Sequence, residues 1–101
     1  MGIGMQIAYF GFSGSAEIEA EASVELVRLN RFSKLIGGCR LAIEAWNGQP
    51  ARRLYDARLD LITRDYGLIP VEHCTDEDPH VAVRGAFDTA VQVLEKGHGQ
   101  R

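Results

Sequence analysis

The chain has 101 residues, of which 46% are hydrophobic and 25% charged, and its formal net charge is -3. A chain of this length has room for one domain with one core. It contains no apolar run as long as a membrane span, and no basic region that would begin a signal peptide, so we expect a cytoplasmic protein. Cys39 and Cys74 form no Cys-x-x-Cys motif, which favours reduced thiols over a zinc or redox site.

The first half of the sequence predicts a strand followed by one long helix. Residues 5–12 are rich in aromatic and aliphatic side chains and run into a glycine- and serine-rich turn at residues 11–15, which we interpret as a connector. Ser15 is a suitable N-cap. Apolar residues then recur every three or four positions, and Gly37 and Gly38 are expected to end the helix. The predicted stripe contains Ile18, Ala22, Leu26, Leu29, Phe32 and Ile36.

The second half predicts three strands and a second helix. Residues 39–46 and 55–62 alternate strictly, and pairing them antiparallel with even position sums keeps both apolar rows on one face. Residues 47–50 supply the turn between them. Residues 68–74 predict a third strand in this half, at the sheet edge because Pro70 cannot donate a backbone hydrogen bond.

A second helix is expected to begin at Asp78 and Pro79, as N-cap and first helical residue, and to end at Gly97. The predicted fold is α+β, with the order strand-helix-strand-strand-strand-helix. Both helices cover one face of a four-stranded mixed sheet whose first two strands are parallel. We expect a single domain over residues 1–96 and a flexible C-terminal tail over residues 97–101.

Residues 28–40 carry four positive charges and no negative one. Arg28, Arg31 and Lys34 recur every three residues, so on a helix they form one stripe opposite an apolar face. Such a stripe on an acidic protein favours a polyanion as partner. An ordinary solvated helix end would give the same pattern. The expected apolar face contains Leu29, Phe32, Leu35 and Ile36.

Trp46, Arg52 and Arg53 flank the hairpin turn. An indole can stack on an unpaired base while guanidinium groups hold phosphate, so this end of the hairpin is a second candidate RNA contact. Alternatively, the indole covers apolar surface and the arginines are solvated.

Two other groups of polar residues are interpreted structurally. The loop at residues 73–80 offers imidazole, thiolate and carboxylate groups, but without the spacing of a metal site, and Asp78 is better used as a helix cap. On the open sheet face, alternating charges predict cross-strand ion pairs rather than a general acid and base. We therefore expect no metal, no cofactor and no enzymatic activity. The expected ion pairs involve Arg40, Glu44, Asp56, Arg58 and Asp60.

Four segments carry a resemblance to a known family: Leu-Asn-Arg-Phe at residues 29–32, Gly-Cys-Arg-Leu-Ala-Ile-Glu-Ala at 38–45, Leu-Tyr-Asp-Ala-Arg-Leu-Asp-Leu at 54–61, and Val-Ala-Val-Arg-Gly-Ala-Phe-Asp at 81–88. With them the chain resembles the ribosome hibernation-promoting factor and sigma-factor modulation protein family, in its short form. The resemblance implies a domain that docks on the small ribosomal subunit, blocks the channel of messenger and transfer RNA, and silences translation under stress.

The resemblance also implies which residues contact ribosomal RNA. An alternative on the same scaffold is a protein-binding or self-associating module without tight RNA binding, which would use the open sheet face or the edge at residues 68–74. The acidity of the chain favours this alternative. The RNA-contacting residues implied by the resemblance are Arg28, Arg31, Lys34, Trp46, Arg52, Arg53, Arg84 and Lys96.

Overall fold

The structure is a computed structural model that describes residues 3–47 and 52–99. It confirms the predicted α+β fold and the order of its elements. The elements are β1 (Gly4–Phe10), α1 (Ala16–Val27), a 3-10 turn (Asn30–Phe32), β2 (Ile36–Asn47), β3 (Arg53–Thr63), β4 (Leu68–Pro70), β5 (Cys74–Asp76) and α2 (Pro79–Gly99).

The sheet has the order β1-β2-β3, with β4 and β5 both paired to the outer edge of β3. β1 is parallel to β2, and β2 is antiparallel to β3, as predicted. Cys39 lies opposite Leu61, so the position sum is even, as predicted. The predicted turn at residues 47–50 lies largely outside the described residues, since β2 ends at Asn47.

The predicted strand at residues 68–74 is two short strands, so this prediction was wrong in part. Pro70 ends β4, which fits its lack of a backbone donor. The next residue, Val71, donates its backbone N–H to Leu59 O at 3.1 Å and buries its side chain in the core. Pairing with β3 resumes only at Cys74.

The first helix is shorter than the sequence predicts. Ser15 is the N-cap, and its hydroxyl accepts a hydrogen bond from Ile18 N–H at 3.1 Å. However, α1 ends at Val27, and Gly37 and Gly38 lie within β2. Beyond Val27 the backbone bonds run to the third preceding residue, as in Phe32 N–H to Leu29 O at 2.9 Å. A three-residue period fits these tighter turns as well as an α-helix, which is why the pattern was misleading.

The second helix begins as predicted: Pro79 is its first residue, and the Asp78 carboxylate accepts a hydrogen bond from His80 N–H at 2.9 Å. It continues to Gly99 instead of ending at Gly97. α2 packs on β3 and β5, and α1 packs against α2, so both helices lie on one face of the sheet. In the described part of the chain, neither helix combines the length and the apolarity needed to cross a bilayer.

Candidate nucleic-acid interface

The cationic stripe does not lie on one regular helix. Arg28 is the C-cap of α1, Arg31 lies in the 3-10 turn, and Lys34 lies in the connection to β2. The guanidinium of Arg31 stacks over the Phe32 ring, 4.7 Å from its centre. Of the expected apolar face, Leu29, Phe32 and Ile36 are buried, but Leu35 is 41% exposed. The stripe therefore lies along consecutive turns between α1 and β2, beside α2.

Arg28 connects the two helices. Its Nη1 donates to Glu25 Oε1 at 2.6 Å and to Asp88 Oδ1 of α2 at 2.7 Å. Hydrogen bonds to these two carboxylates raise the pKa of Arg28, Glu25 having the larger effect. Because the Glu25 side chain is only 9% exposed, its charge needs a close partner. Arg28 therefore has a structural role in joining α1 to α2.

A second contact between the helices surrounds Glu21. Arg84 Nε of α2 lies 3.6 Å from Glu21 Oε2 and 4.0 Å from Glu25 Oε2. His80 Nδ1 lies 3.5 Å from Glu21 Oε1. The acidic residues on this side of α1 thus face basic residues of α2. Arg84 is about half exposed, so it remains accessible to solvent while paired.

Two more of the predicted RNA-contacting arginines also have carboxylate partners. Arg31 pairs with Glu95 of α2, and Arg52 pairs with Glu77. Across the described residues, Lys34, Arg53 and Lys96 form no salt bridge. The eight residues are therefore not gathered into one unneutralised surface, because four of the seven cations already contact a carboxylate. Their part in RNA binding stays a prediction.

The structure separates the two kinds of side chain predicted to act together at the hairpin end. Trp46 is 47% exposed and lies on the open face, in line with Arg40 and Glu44 along β2. Arg53 faces the helical side, where its guanidinium lies 5.7 Å from the Tyr55 ring centre and 6.0 Å from that of Phe12. An indole and this guanidinium on opposite faces cannot hold the same nucleotide.

The open face differs from the sequence prediction in its ion pairs. Arg40 lies directly opposite Asp60, as expected. Among the described side chains, however, no salt bridge joins them, and Arg58 has none either. Asp56 instead contacts His73 Nδ1 at 3.0 Å and accepts a hydrogen bond from Thr75 Oγ1 at 2.8 Å.

The loop before α2 uses its polar groups locally. Asp76 accepts a hydrogen bond from Asp78 N–H at 2.9 Å, and Asp78 in turn caps α2. Both cysteines are free. Over residues 3–47 and 52–99, no group of three His, Cys, Asp or Glu side chains is placed to hold a metal ion.

Sequence reasoning missed the acidic partners on α2 and one exposed aromatic residue. Arg28 and Glu25 are three positions apart, which is a local signal of pairing, but nothing local connects Arg28 to Asp88 or Arg31 to Glu95. Tyr66, in the turn between β3 and β4, is 91% exposed and has a φ of 69°. The nearby Asp-Tyr-Gly sequence signals a turn but not this exposure.

Comparison with known proteins gives a match in structure only. No protein-family model matches the sequence, and no curated protein does. The N-terminal domain of protein Y from Thermus thermophilus superposes with a TM-score of 0.72 at 17% identity, covering 95% of this chain and 98% of that one. A ribosomal subunit interface protein from Coxiella burnetii superposes with a TM-score of 0.71 at 14% identity, covering 96% and 99%. The chain therefore has the fold of these two proteins, which is the fold that the sequence resemblance implies.

Proposed function

We propose that the chain binds the small ribosomal subunit and silences translation by occupying the decoding channel. The observation that carries this proposal is a fold shared over 95% of the chain with the N-terminal domain of protein Y, alongside a second neighbour described as a ribosomal subunit interface protein. The sequence resemblance points in the same direction. The proposed activity is binding and obstruction in the cytoplasm, without catalysis.

The ion pairs lower the electrostatic contribution that we expect from the helical side. A phosphate approaching Arg28 or Arg31 competes with a carboxylate already in contact, whereas Lys34, Arg53 and Lys96 have no carboxylate partner among the described residues, although Arg53 donates a hydrogen bond to Gly11 O at 3.3 Å. Each phosphate contact contributes about -0.9 to the slope of log affinity against log salt. Three contacts give a slope of about -3, and all seven cations would give about -6. We therefore expect binding that depends on shape more than on charge.

Co-sedimentation with purified small subunits at low and moderate salt tests the proposal. We expect the protein in the subunit peak at low salt, and at least a tenfold loss of affinity when Lys34, Arg53 and Lys96 are all replaced by Gln. Replacing Glu72 by Gln is a surface control with the opposite charge change and should not weaken binding, since Glu72 is exposed and no salt bridge involves it in the described structure. Absence from the subunit peak at both salt concentrations contradicts the proposal.

A competition experiment tests whether the protein binds in the decoding channel. Subunits preloaded with messenger RNA and initiator transfer RNA should exclude the protein, and bound protein should slow the binding of both. If the protein, messenger RNA and transfer RNA bind the subunit together, the protein still associates with the ribosome, but its site is not the decoding channel.

An alternative function is self-association through the free edge of β1. Among the described strands, β1 pairs with β2 alone, which leaves seven residues of strand edge, whereas the opposite edge is divided between two three-residue strands. A long edge strand can add a strand from a second chain. Sedimentation velocity over a range of concentrations distinguishes the two cases: a dimer supports the alternative, and a monomer throughout removes it.

A further inference from the structure

The open face of the sheet contains a shallow groove of about 320 Å³ across β1, β2 and β3. Ala8 and Ala42 are neighbours in the parallel register and form its floor. Two adjacent methyl side chains lower the surface between larger residues. The rim contains Gln6, Phe10, Arg40, Arg58 and Asp60.

Arg40 and Arg58 are the basic residues of this rim. Ala42 lies opposite Arg58, so the two arginines are diagonal neighbours across β2 and β3, with Cβ atoms about 7 Å apart. Within the described part of the chain neither forms a salt bridge, unlike Arg28, Arg31, Arg52 and Arg84. Two guanidinium groups at this spacing can hold one phosphate between them.

One exposed aromatic ring lines the groove with the two arginines, and a second lies farther along the same face. Phe10 is 53% exposed at one end of the groove, and Trp46 is 47% exposed farther along β2 on the same face. Aromatic side chains on an open sheet are a common platform on which unpaired bases stack. A base on Phe10 would place its phosphate toward the arginines.

Carboxylates limit how many phosphates this site can hold and which base it favours. Glu44 lies opposite Phe10 on one side and Asp56 on the other, so the end of the groove is acidic and disfavours a second phosphate. Because Glu44 lies directly beside Phe10, its carboxylate can accept a hydrogen bond from an exocyclic amino group of a base stacked there, such as N4 of cytosine. Uracil has an acceptor at the corresponding position. Asp60 lies opposite Arg40, four residues along the sheet, and is beyond the reach of that base.

We propose that this groove binds one unpaired nucleotide of single-stranded RNA, with the base on Phe10, the phosphate between Arg40 and Arg58, and Glu44 favouring cytosine over uracil. The inference goes beyond the proposed function, because it concerns the face opposite the helices and requires no ribosome. One phosphate contact predicts a salt slope of about -0.7.

Titration of the full chain with a cytidine RNA hexamer and a uridine RNA hexamer tests the inference. Trp46 is the sole tryptophan of the sequence, so its fluorescence reports on this face. We expect saturable quenching, amide NMR shifts at Ala8 and Ala42, and at least fivefold tighter binding of the cytidine hexamer. Glu44→Gln should reduce that preference.

Single substitutions test whether the hexamer binds in this groove. Arg58→Gln should weaken binding of the cytidine hexamer at least fivefold, and Phe10→Leu by a similar factor. Arg64→Gln is the matched control, since it removes the same charge at the β3 to β4 turn and should change affinity less than twofold. Thermal unfolding of each variant checks that the fold is retained, and Arg58→Lys, which keeps the charge, should recover part of the affinity.

Three results would overturn the inference: equal effects of Arg58→Gln and Arg64→Gln, NMR shifts confined to the helices, or shifts that follow protein concentration instead of RNA. The last would identify the face as a self-association surface. If the protein binds a hexamer but not the small subunit, the proposed function is contradicted and the inference is supported. If it binds the small subunit but neither hexamer, the inference is contradicted and the proposed function is supported.

Discussion

On the helical side of the sheet, Arg28, Arg31 and Arg84 each contact a carboxylate, whereas on the open side Arg40 and Arg58 form no salt bridge among the described residues. Net charge does not explain this difference. Residues 16–35 and α2 together carry five cations and six carboxylates. The open face of β2 and β3 carries two arginines and three carboxylates, so each side has a net charge of about -1.

The comparison shows that pairing, not the number of charges, decides which cations are available to a partner. Long side chains of α1 and α2 meet across the contact between the helices and reach each other in pairs. Side chains on a sheet stand roughly perpendicular to it, so opposite residues can remain apart. A surface that is rich in arginine can thus be committed to holding the fold, while a surface with only two remains open to a ligand.

The largest expected effect on stability comes from comparing two phenylalanines on opposite sides of the sheet. Phe87 of α2 is 0% exposed, and Phe10 is 53% exposed. Phe87→Ala should lower the free energy of unfolding by about 3–5 kcal/mol, because it removes a buried ring and leaves a cavity. Phe10→Ala should cost under about 1 kcal/mol. Urea denaturation measures both, and equal losses would mean that Phe10 supports the core rather than a ligand.

The next effect concerns two neighbouring residues of β2, of which Cys39 faces the helices and Arg40 the solvent. Burial raises the pKa of the Cys39 thiol from 9.0 to about 11. The folded state then holds its proton to higher pH, so stability is fully present below about pH 9 and is lost as pH rises through 11. At about 1.4 kcal/mol per pKa unit, the loss approaches 2–3 kcal/mol.

Cys39→Ala tests this pH dependence. The variant should be less stable than the wild type at pH 7 but lose less stability between pH 9 and 11, since it has no thiol to ionise there. Parallel pH profiles for the two proteins would show that other groups cause the alkaline loss. Urea unfolding at each pH provides the measurement.

A smaller effect compares a paired and an unpaired arginine directly. Arg28→Gln leaves the nearly buried Glu25 with only the 4.0 Å contact to Arg84, and should cost about 1–2 kcal/mol. Arg40→Gln should change stability by less than about 0.5 kcal/mol. Adding Glu25→Gln to the first variant should recover part of the loss. A cost at Arg40 as large as that at Arg28 would contradict the distinction between the two sides.

Local patterns predicted most of the fold, and the exceptions have physical causes. Alternation alone predicted that paired positions of β2 and β3 have even sums, as Cys39 and Leu61 do, because a slip of one residue would expose the whole apolar row. It did not specify which of the even sums is adopted. The end of α1 was missed since a three-residue spacing fits successive tight turns equally well. The partners of Arg28 and Arg31 lie 60 and 64 residues away, so they depend on how α1 meets α2, which no local pattern specifies.

The smallest expected effect tests whether pairing limits RNA binding on the helical side. Glu95→Gln removes the carboxylate that contacts Arg31, while both side chains are more than half exposed, so stability should change by less than about 0.5 kcal/mol. If Arg31 then reaches a phosphate, affinity for the small subunit should rise and the salt slope should steepen by about 0.9.

Glu72→Gln makes the same change in net charge without releasing an arginine. A general charge effect would strengthen binding equally in both variants, whereas release of Arg31 strengthens it only in Glu95→Gln. Salt-dependent co-sedimentation of the two variants separates these outcomes. An unchanged slope in Glu95→Gln would mean that the contact between the helices, and not RNA, is what Arg31 serves, and would leave the open face with the cations most available to a nucleic acid.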